Sequence, residues 1–414
     1  MADDFRIQRY TEADRSSVFD LLQRAFSEVY AQHLIRTWNW KYDSHPLNRE
    51  AAQVRRADHE KLWAYITQTY PADLRAQWGL NLDDLNPVPD DAPYILLLKA
   101  GDKVVATEGS LPRAFLINGE RHLASIGCDF AVHPDYRGRQ LSMRLALRTM
   151  SEHRISVGWY NTNSWTSTNR WEKKTAPALN QVTRTNPPAS GKMRVVTLVK
   201  PIDWSWMIER ATGIGLPASI AALASSGAHR VGRRRAKLPA MPGVDVFELK
   251  TFGRSIDDLQ QRCSRDHQVI GIRDSAYLKW RLGARPDASY ECVAAARDSQ
   301  LIGYLAYRIV EREGGRIGYI VDFLIEGEPG SAFALLVAHA EDRMVRGGAQ
   351  SIVCAIANAR FRKVLHHCGF YVAVLGVRSY LSAEVNVPDA PTTVFADLPK
   401  WFVTIADGDA EMSF

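Results

Sequence analysis

The residues best placed to do chemistry fall in one stretch, Cys128 to Ser142. It reads as a strand of small and β-branched residues that stops at Pro134. A basic turn around Gly138 follows, and then a helical pattern with Leu141, Leu145, Leu147 and Met150 on one side. A helix N-terminus offers backbone N–H groups without internal partners and a partial positive charge. With Arg137 and Arg139 beside it, this turn suits a phosphate or pyrophosphate. Two acidic residues, Glu108 and Asp129, lie on patterns that otherwise read as core strands. Burial would raise either toward the range of a general base, and a paired structural carboxylate explains each equally well.

The string His133-Pro134-Asp135-Tyr136-Arg137-Gly138-Arg139 between a strand and a helix resembles the acyl-CoA-binding motif of the GCN5-related N-acetyltransferase (GNAT) superfamily, Gln/Arg-x-x-Gly-x-Gly/Ala. Arg137 takes the first place and Ser142 the final small position. Gln140 stands where the central glycine lets the backbone approach the pyrophosphate. Either its side chain points outward and its N–H still binds, or the site is weakened. The resemblance implies acetyl-CoA or a longer acyl-CoA as co-substrate and no metal. Phe130, Ala131 and Val132 on the strand, the turn residues Arg137, Gly138, Arg139, Gln140, Leu141 and Ser142, and Asn163 at the pantetheine position would hold it. It also implies direct attack of an amine on the thioester, with the Val132 N–H at the oxyanion and a tyrosine protonating the thiolate. In the helix that should carry this tyrosine, Arg170 or Trp171 occupies the place. Tyr160 on the adjacent strand could substitute, or could be a buried structural tyrosine.

These residues need a scaffold, and the chain supplies one twice. Phe5–Tyr10 reads as a strand, and a helix runs from Glu12 to about Tyr30 with Val18, Leu21, Leu22 and Phe26 facing in. Trp38, Trp40, Lys41 and Tyr42 precede Pro46, and Ala51–Trp78 adds helix that suits a lid or wall over an acceptor site. Runs at 94–99, 104–110, 113–117 and 122–132 form a meander through Asn118-Gly119, and 156–162 is a further strand. From Val244 the order recurs. Trp280 and Pro286 echo Trp40 and Pro46, Asp322 echoes Asp129, and the strands and helices follow to Cys368-Gly369-Phe370, so the chain reads as an internal duplication. The second copy has Glu326 and Glu328 where an anion would sit, which would repel CoA. Its Asp322 also favours a structural role for Asp129.

The expected fold class is α/β (α+β), with two tandem GNAT-like domains, each a mixed, mainly antiparallel sheet flanked by helices. Residues 1–190 form the motif-bearing domain with a helical insertion at 45–92, and 191–243 a strand and an Arg-rich helical linker. Residues 244–390 form the degenerate second domain, and 391–414 a last strand and acidic tail. The Trp38-x-Trp40-Lys41-Tyr42 string and the ending Trp401-x-x-Thr404-x-x-Asp407-x-Asp409 resemble tandem acetyltransferase-like proteins of bacterial polysaccharide or natural-product contexts. Asp407 and Asp409 read as a solvated turn.

Composition bounds the partners. The 414 residues are 46% hydrophobic and 24% charged with a net charge of +6, which suits an anionic ligand or an acidic carrier protein better than nucleic acid. Five cysteines without metal-ligand spacing, and no export signal, point to reduced thiols in the cytoplasm. His366 and His367 beside Cys368 read as surface and helix-end residues rather than ligands. No stretch reads as a transmembrane segment; Ile214–Ala224 with its basic flank suits a buried or linker helix better than a weak peripheral membrane contact. The expected function is acyl transfer from acyl-CoA to the amine of a small-molecule acceptor. The alternatives are an acyl carrier protein as donor, an aminoacyl-tRNA-dependent transferase and a non-catalytic binding module of the same fold.

Overall fold

In the computed structural model, residues 5–69, 71–77, 93–160, 164, 166, 190–212, 241–312, 314–373, 379–385 and 401–408 are described. The first half opens with β1 (Phe5–Arg9), α1 (Arg15–Ala25) and α2 (Glu28–Trp38). One helix was expected to run to Tyr30. Phe26 and Ser27 instead take extended backbone, so the chain turns there and a second helix starts. The expected extra helical piece is α3 (Asn48–Thr69) and α4 (Ala72–Gln77).

The meander follows as β2 (Tyr94–Ala100), β3 (Lys103–Ile117) and β4 (Glu120–Val132), and α5 (Leu141–Ser151) leads to β5 (Ile155–Tyr160). Asn118 and Gly119 both have positive φ, 51° and 84°, as a two-residue hairpin turn between twisted strands requires. Then come β6 (Ser190–Pro201) and α6 (Trp204–Thr212). The Arg-rich linker, Ile214–Ala224, Asn163, Arg170, Trp171 and Asp409 lie outside the described residues.

The second half comprises β7 (Val244–Glu248), α7 (Arg254–Cys263), β8 (Val269–Gly271), α8 (Ser275–Leu278), β9 (Glu291–Arg297), β10 (Gln300–Arg312) and β11 (Gly315–Ile325). It ends with α9 (Ser331–Arg346), β12 (Ser351–Ile356), α10 (Ala359–His367), β13 (Tyr371–Val372), β14 (Ser379–Val385) and β15 (Trp401–Phe402). Where two sheets were expected, the strands form one continuous sheet in the order β1-β2-β3-β4-β5-β14-β6-β12-β11-β10-β9-β7. The middle of that order is an exchange. The strand that follows the first half, β6, pairs with β12 of the second, and β14, near the end of the second half, pairs with β5 of the first.

A second junction is symmetric. Trp40 and Trp280 stack at 4.8 Å with 12° between planes, and each indole N–H donates to the other's backbone carbonyl, at 2.8 and 2.9 Å. Each tryptophan sits in a wide π-helical turn, Asn39–Asp43 or Lys279–Gly283. Such a turn displaces the chain by one residue and re-aims the side chains that follow. Trp38, Trp40, Tyr42 and Trp280 are therefore core residues, buried with most of the apolar side chains in a core that spans both halves.

Candidate active site

The parallel pairing of β4 with β5 covers only Ser125–Gly127 against Ser156–Gly158. Beyond Gly127 and Gly158 the strands part. A bulge in the β3–β4 ladder between Thr107 and Gly109 falls at the same level, and Asp129 has φ +49°. The bulge turns Cys128 and Asp129 to one face, where both meet the Tyr42 hydroxyl, at 3.3 and 2.7 Å. At the end of β4, the His133 N–H donates to Val105 on β3. Strand alternation then turns the Val132 N–H the other way, into the gap left by β5.

The turn after β4 forms as expected, with a short 3-10 turn at Pro134–Tyr136 and α5 starting at Leu141. Arg137, Gly138, Arg139 and Gln140 are exposed. The Arg137 guanidinium is steadied by the Ala25 carbonyl at 3.2 Å, and Arg139 lies over the Tyr136 ring, 5.0 Å from its centroid. No turn or loop backbone bond is donated by Gly138, Gln140, Leu141 or Ser142 among the described residues. Gln140 has φ +60°, in the left-handed region that a glycine adopts without strain. The backbone thus takes a glycine-favoured conformation while carrying a side chain, and Gln140 is exposed.

The two carboxylates have opposite surroundings. Asp129 accepts from the Lys41 ammonium at 2.7 and 2.8 Å and from Tyr42 at 2.7 Å, and all three side chains are buried. Both its oxygens are engaged, by Lys41 and by Tyr42, so the carboxylate is ion-paired rather than free. Lys41 and Tyr42 were legible only as an aromatic string; the missed signal was that a buried strand aspartate requires a cation. Glu108 is also buried, but its Oε2 has no hydrogen-bond partner. Burial raises its pKa to about 8; the nearby Thr149 hydroxyl draws it down without closing a normal hydrogen bond.

Glu108 and Tyr160 flank a pair of glycines. Gly127 and Gly158 are register partners at the last rung before the strands part. A Cβ on Gly127 would lie 3.9 Å from Glu108 Oε1, and a Cβ on Gly158 would overlap the Tyr160 phenol. Partners in a parallel ladder point to the same face, so both side chains occupy the face of the sheet that α5 covers. Ser382 on β14 donates to the Tyr160 hydroxyl at 3.4 Å, so a strand from the second half supports this residue. Phe130 is half exposed, while Ala131 and Leu141 are buried.

In the second half the corresponding aspartate, Asp322, is fully buried and paired with Arg273 at 2.9 Å. Asp322 also accepts from Tyr304 at 2.5 Å and Thr404 at 2.6 Å. The expected solvated turn at Asp407 is overturned: Asp407 is 4% exposed, lies between Arg113 and Arg273, and the two cations hold its carboxyl below the usual range. The turn after β11 carries Glu326 and Glu328 as expected, tied to Arg262 at 2.9 Å and Arg360 at 2.6 Å. His366 and His367 each engage a backbone carbonyl four residues away, and no metal-holding group of three His, Cys, Asp or Glu occurs among the described residues. No helix among the described residues is long and apolar enough to cross a membrane.

Among curated proteins no sequence matches the chain. A GCN5-related N-acetyltransferase from Anabaena variabilis superposes with a TM-score of 0.52 at 11% identity, over 92% of this chain and 73% of that one. A probable N-acyltransferase of unknown function from Enterococcus faecalis gives 0.51 at 12%, over 92% and 72%. Saccharomyces cerevisiae N-myristoyltransferase, solved with myristoyl-CoA and inhibitors, gives 0.50 at 12%, over 94% and 82%. Residues 50–159, from α3 through the basic turn to β5, match the acetyltransferase (GNAT) domain family, and the chain as a whole has the α+β GNAT fold, a mixed sheet with flanking helices.

Proposed function

We propose that the protein is an acyl-CoA-dependent N-acyltransferase whose one reactive centre lies where β4 and β5 part. The observation that carries this reading is the coincidence of three features at one level of the sheet. They are a gap with an inward backbone N–H at Val132, an unpartnered carboxylate at Glu108 and, at the strand end, a cationic turn with free N–H groups. The donor's pyrophosphate sits on the turn between Arg137 and Ser142, and the pantetheine arm enters the gap past Phe130 and Ala131. Asn163 is assigned to that arm by the motif resemblance.

The acceptor amine attacks the thioester carbonyl carbon. The C–N bond forms, negative charge develops on the carbonyl oxygen, and the Val132 N–H stabilises it. Glu108, whose pKa near 8 makes its carboxylate a usable base in neutral to mildly alkaline solution, takes the amine proton. As the C–S bond breaks, the Tyr160 hydroxyl protonates the thiolate. The acceptor is read as a small-molecule amine.

The duplicated order, the reciprocal Trp40–Trp280 pair and the exchanged strands support reading the halves as tandem copies of the domain type found in bacterial biosynthetic acyltransferases. The first copy spans residues 1–190 and the second 244–390. The second does not bind donor; it supplies β14 and Ser382 to the site. The test is release of free thiol from acetyl-CoA and longer acyl-CoAs with a panel of amines. Amine-dependent thiol release that Glu108→Gln abolishes supports the reading. No release with any donor and amine contradicts it.

A further inference from the structure

Two sealed polar atoms on the face of the sheet that α5 covers make no hydrogen bond, Glu108 Oε2 and Thr149 Oγ1. Both residues are more than nine-tenths buried, at 8% and 4% exposed. Their placement follows from the periods of the three elements that meet there. Leu98 pairs with Ala106, Leu96 with Glu108 and Tyr94 with Ser110 across β2 and β3, and cross-strand partners share a face. Leu96, Leu98 and Ala106 form one apolar cluster with Leu141 and Leu145 of α5. Thr149 comes four residues after Leu145, on the same stripe of the helix, which brings its hydroxyl to the neighbourhood of Glu108. Glu108 also falls inside the β3–β4 bulge, where Thr107 pairs with Ala131 and Gly109 with Cys128, so it has no ladder partner on β4.

The titratable and charged groups that share this face are few. Tyr94 stands on β2 with His153 against its ring, Tyr160 stands on β5, and Glu152, just past α5, is held by Arg9 and Arg148 at 2.5 and 2.6 Å. None of them shifts the Glu108 carboxyl; burial raises its pKa to about 8 and the Thr149 hydroxyl alone draws it back. The two carboxyl oxygens also differ in what they face. Oε1 lies 3.9 Å from where a Cβ on Gly127 would stand, at the last rung before the strands part, while Oε2 is sealed. A threonine hydroxyl turns about its own C–O bond, so it donates to a carboxylate without moving the backbone. Such a bond is worth most when the acceptor is ionised.

We propose that Thr149 is a positioning residue for Glu108, its hydroxyl donating to Oε2 of the carboxylate and so holding Oε1 toward the gap. The proton taken from the acceptor amine goes to Oε1, and Thr149 keeps its own. The role in proton transfer rests on the acyl-transfer reading; the pairing of the two side chains does not.

The test compares Thr149→Val and Thr149→Ser with the parent in amine-dependent thiol release from acetyl-CoA across neutral and alkaline pH. Loss of a donor to the ionised form should raise the apparent pKa of kcat/KM by about one unit in Thr149→Val, a roughly tenfold loss of rate at neutral pH that closes at high pH. Thr149→Ser should restore the parent's profile. A Thr149→Val enzyme with the parent's apparent pKa, or with an equal loss of rate at every pH, overturns the proposal. If the parent releases no thiol with any amine, the acyl-transfer reading fails and the pairing is read from urea unfolding. The stability deficit of Thr149→Val should then widen by roughly tenfold in the unfolding equilibrium as pH rises through 8 and beyond, and should stay constant with pH in a Glu108→Gln background. A deficit that does not change with pH when Glu108 is present overturns the pairing. If Thr149→Val does not fold, Thr149→Ala takes its place in both measurements.

Discussion

The turn after β4 and the turn after β11 occupy equivalent places in the two halves and carry opposite charge. The first presents Arg137, steadied by the Ala25 carbonyl, and Arg139, lying over the Tyr136 ring, while the second carries Glu326 and Glu328, tied to Arg262 and Arg360. One step back along each strand the halves agree. Asp129 and Asp322 are both buried, and each is held by a cation and a tyrosine. What both halves keep is therefore a demand of the fold, and what they do not share marks the ligand. On that contrast rests the proposal that Asp129 is structural and the basic turn binds the donor.

The largest expected effect tests the shared feature. Asp129→Ala leaves the Lys41 ammonium buried without its carboxylate, which should cost about 3–5 kcal/mol in urea unfolding. Asp322→Ala should cost less, because Arg273 keeps Asp407. A well-folded Asp129→Ala protein that has lost only activity would break the comparison. Next is Glu108→Gln, expected to lower kcat about 10²- to 10⁴-fold and to remove a rise in rate with an apparent pKa near 8.

Stability gives the same residue a second readout. Glu108 has a folded pKa raised from 4.5 to about 8, so the folded chain binds this proton more tightly than the unfolded chain. The contribution is fully present below pH 4.5 and is lost as pH rises through 8. Glu108→Gln should therefore gain on the parent between pH 5 and 8, as measured by unfolding at both pH values. Gly109→Ala should destabilise by about 1–3 kcal/mol, because its Cβ would overlap the Tyr42 hydroxyl and disturb the Asp129 pair. The smallest effect sharpens the motif itself. Gln140→Gly should add about 0.5–1 kcal/mol of stability by relieving the positive φ, and should tighten CoA binding a few-fold.

Much of this was legible in the sequence because it is local. The Asn118-Gly119 hairpin, the strand-turn-helix around Gly138 and the recurrence of Trp40 as Trp280 follow from turn chemistry and spacing. What was not legible depends on contacts across long separations. Nothing near Asp407 signals that Arg113 and Arg273 will bury it, and nothing in β6 or β14 signals that the halves exchange them. The choice between Asp129 and Glu108 was open for the same reason: both read as acids on core strands, and only the position of Lys41, 88 residues away along the chain, separates them.

The most direct test of the central claim is calorimetric titration of the protein with CoA, counting sites per chain. The account predicts one site, lost in Arg137→Glu and unchanged in Glu328→Gln. Two sites per chain, or a single site that survives Arg137→Glu and vanishes in Glu328→Gln, would contradict it.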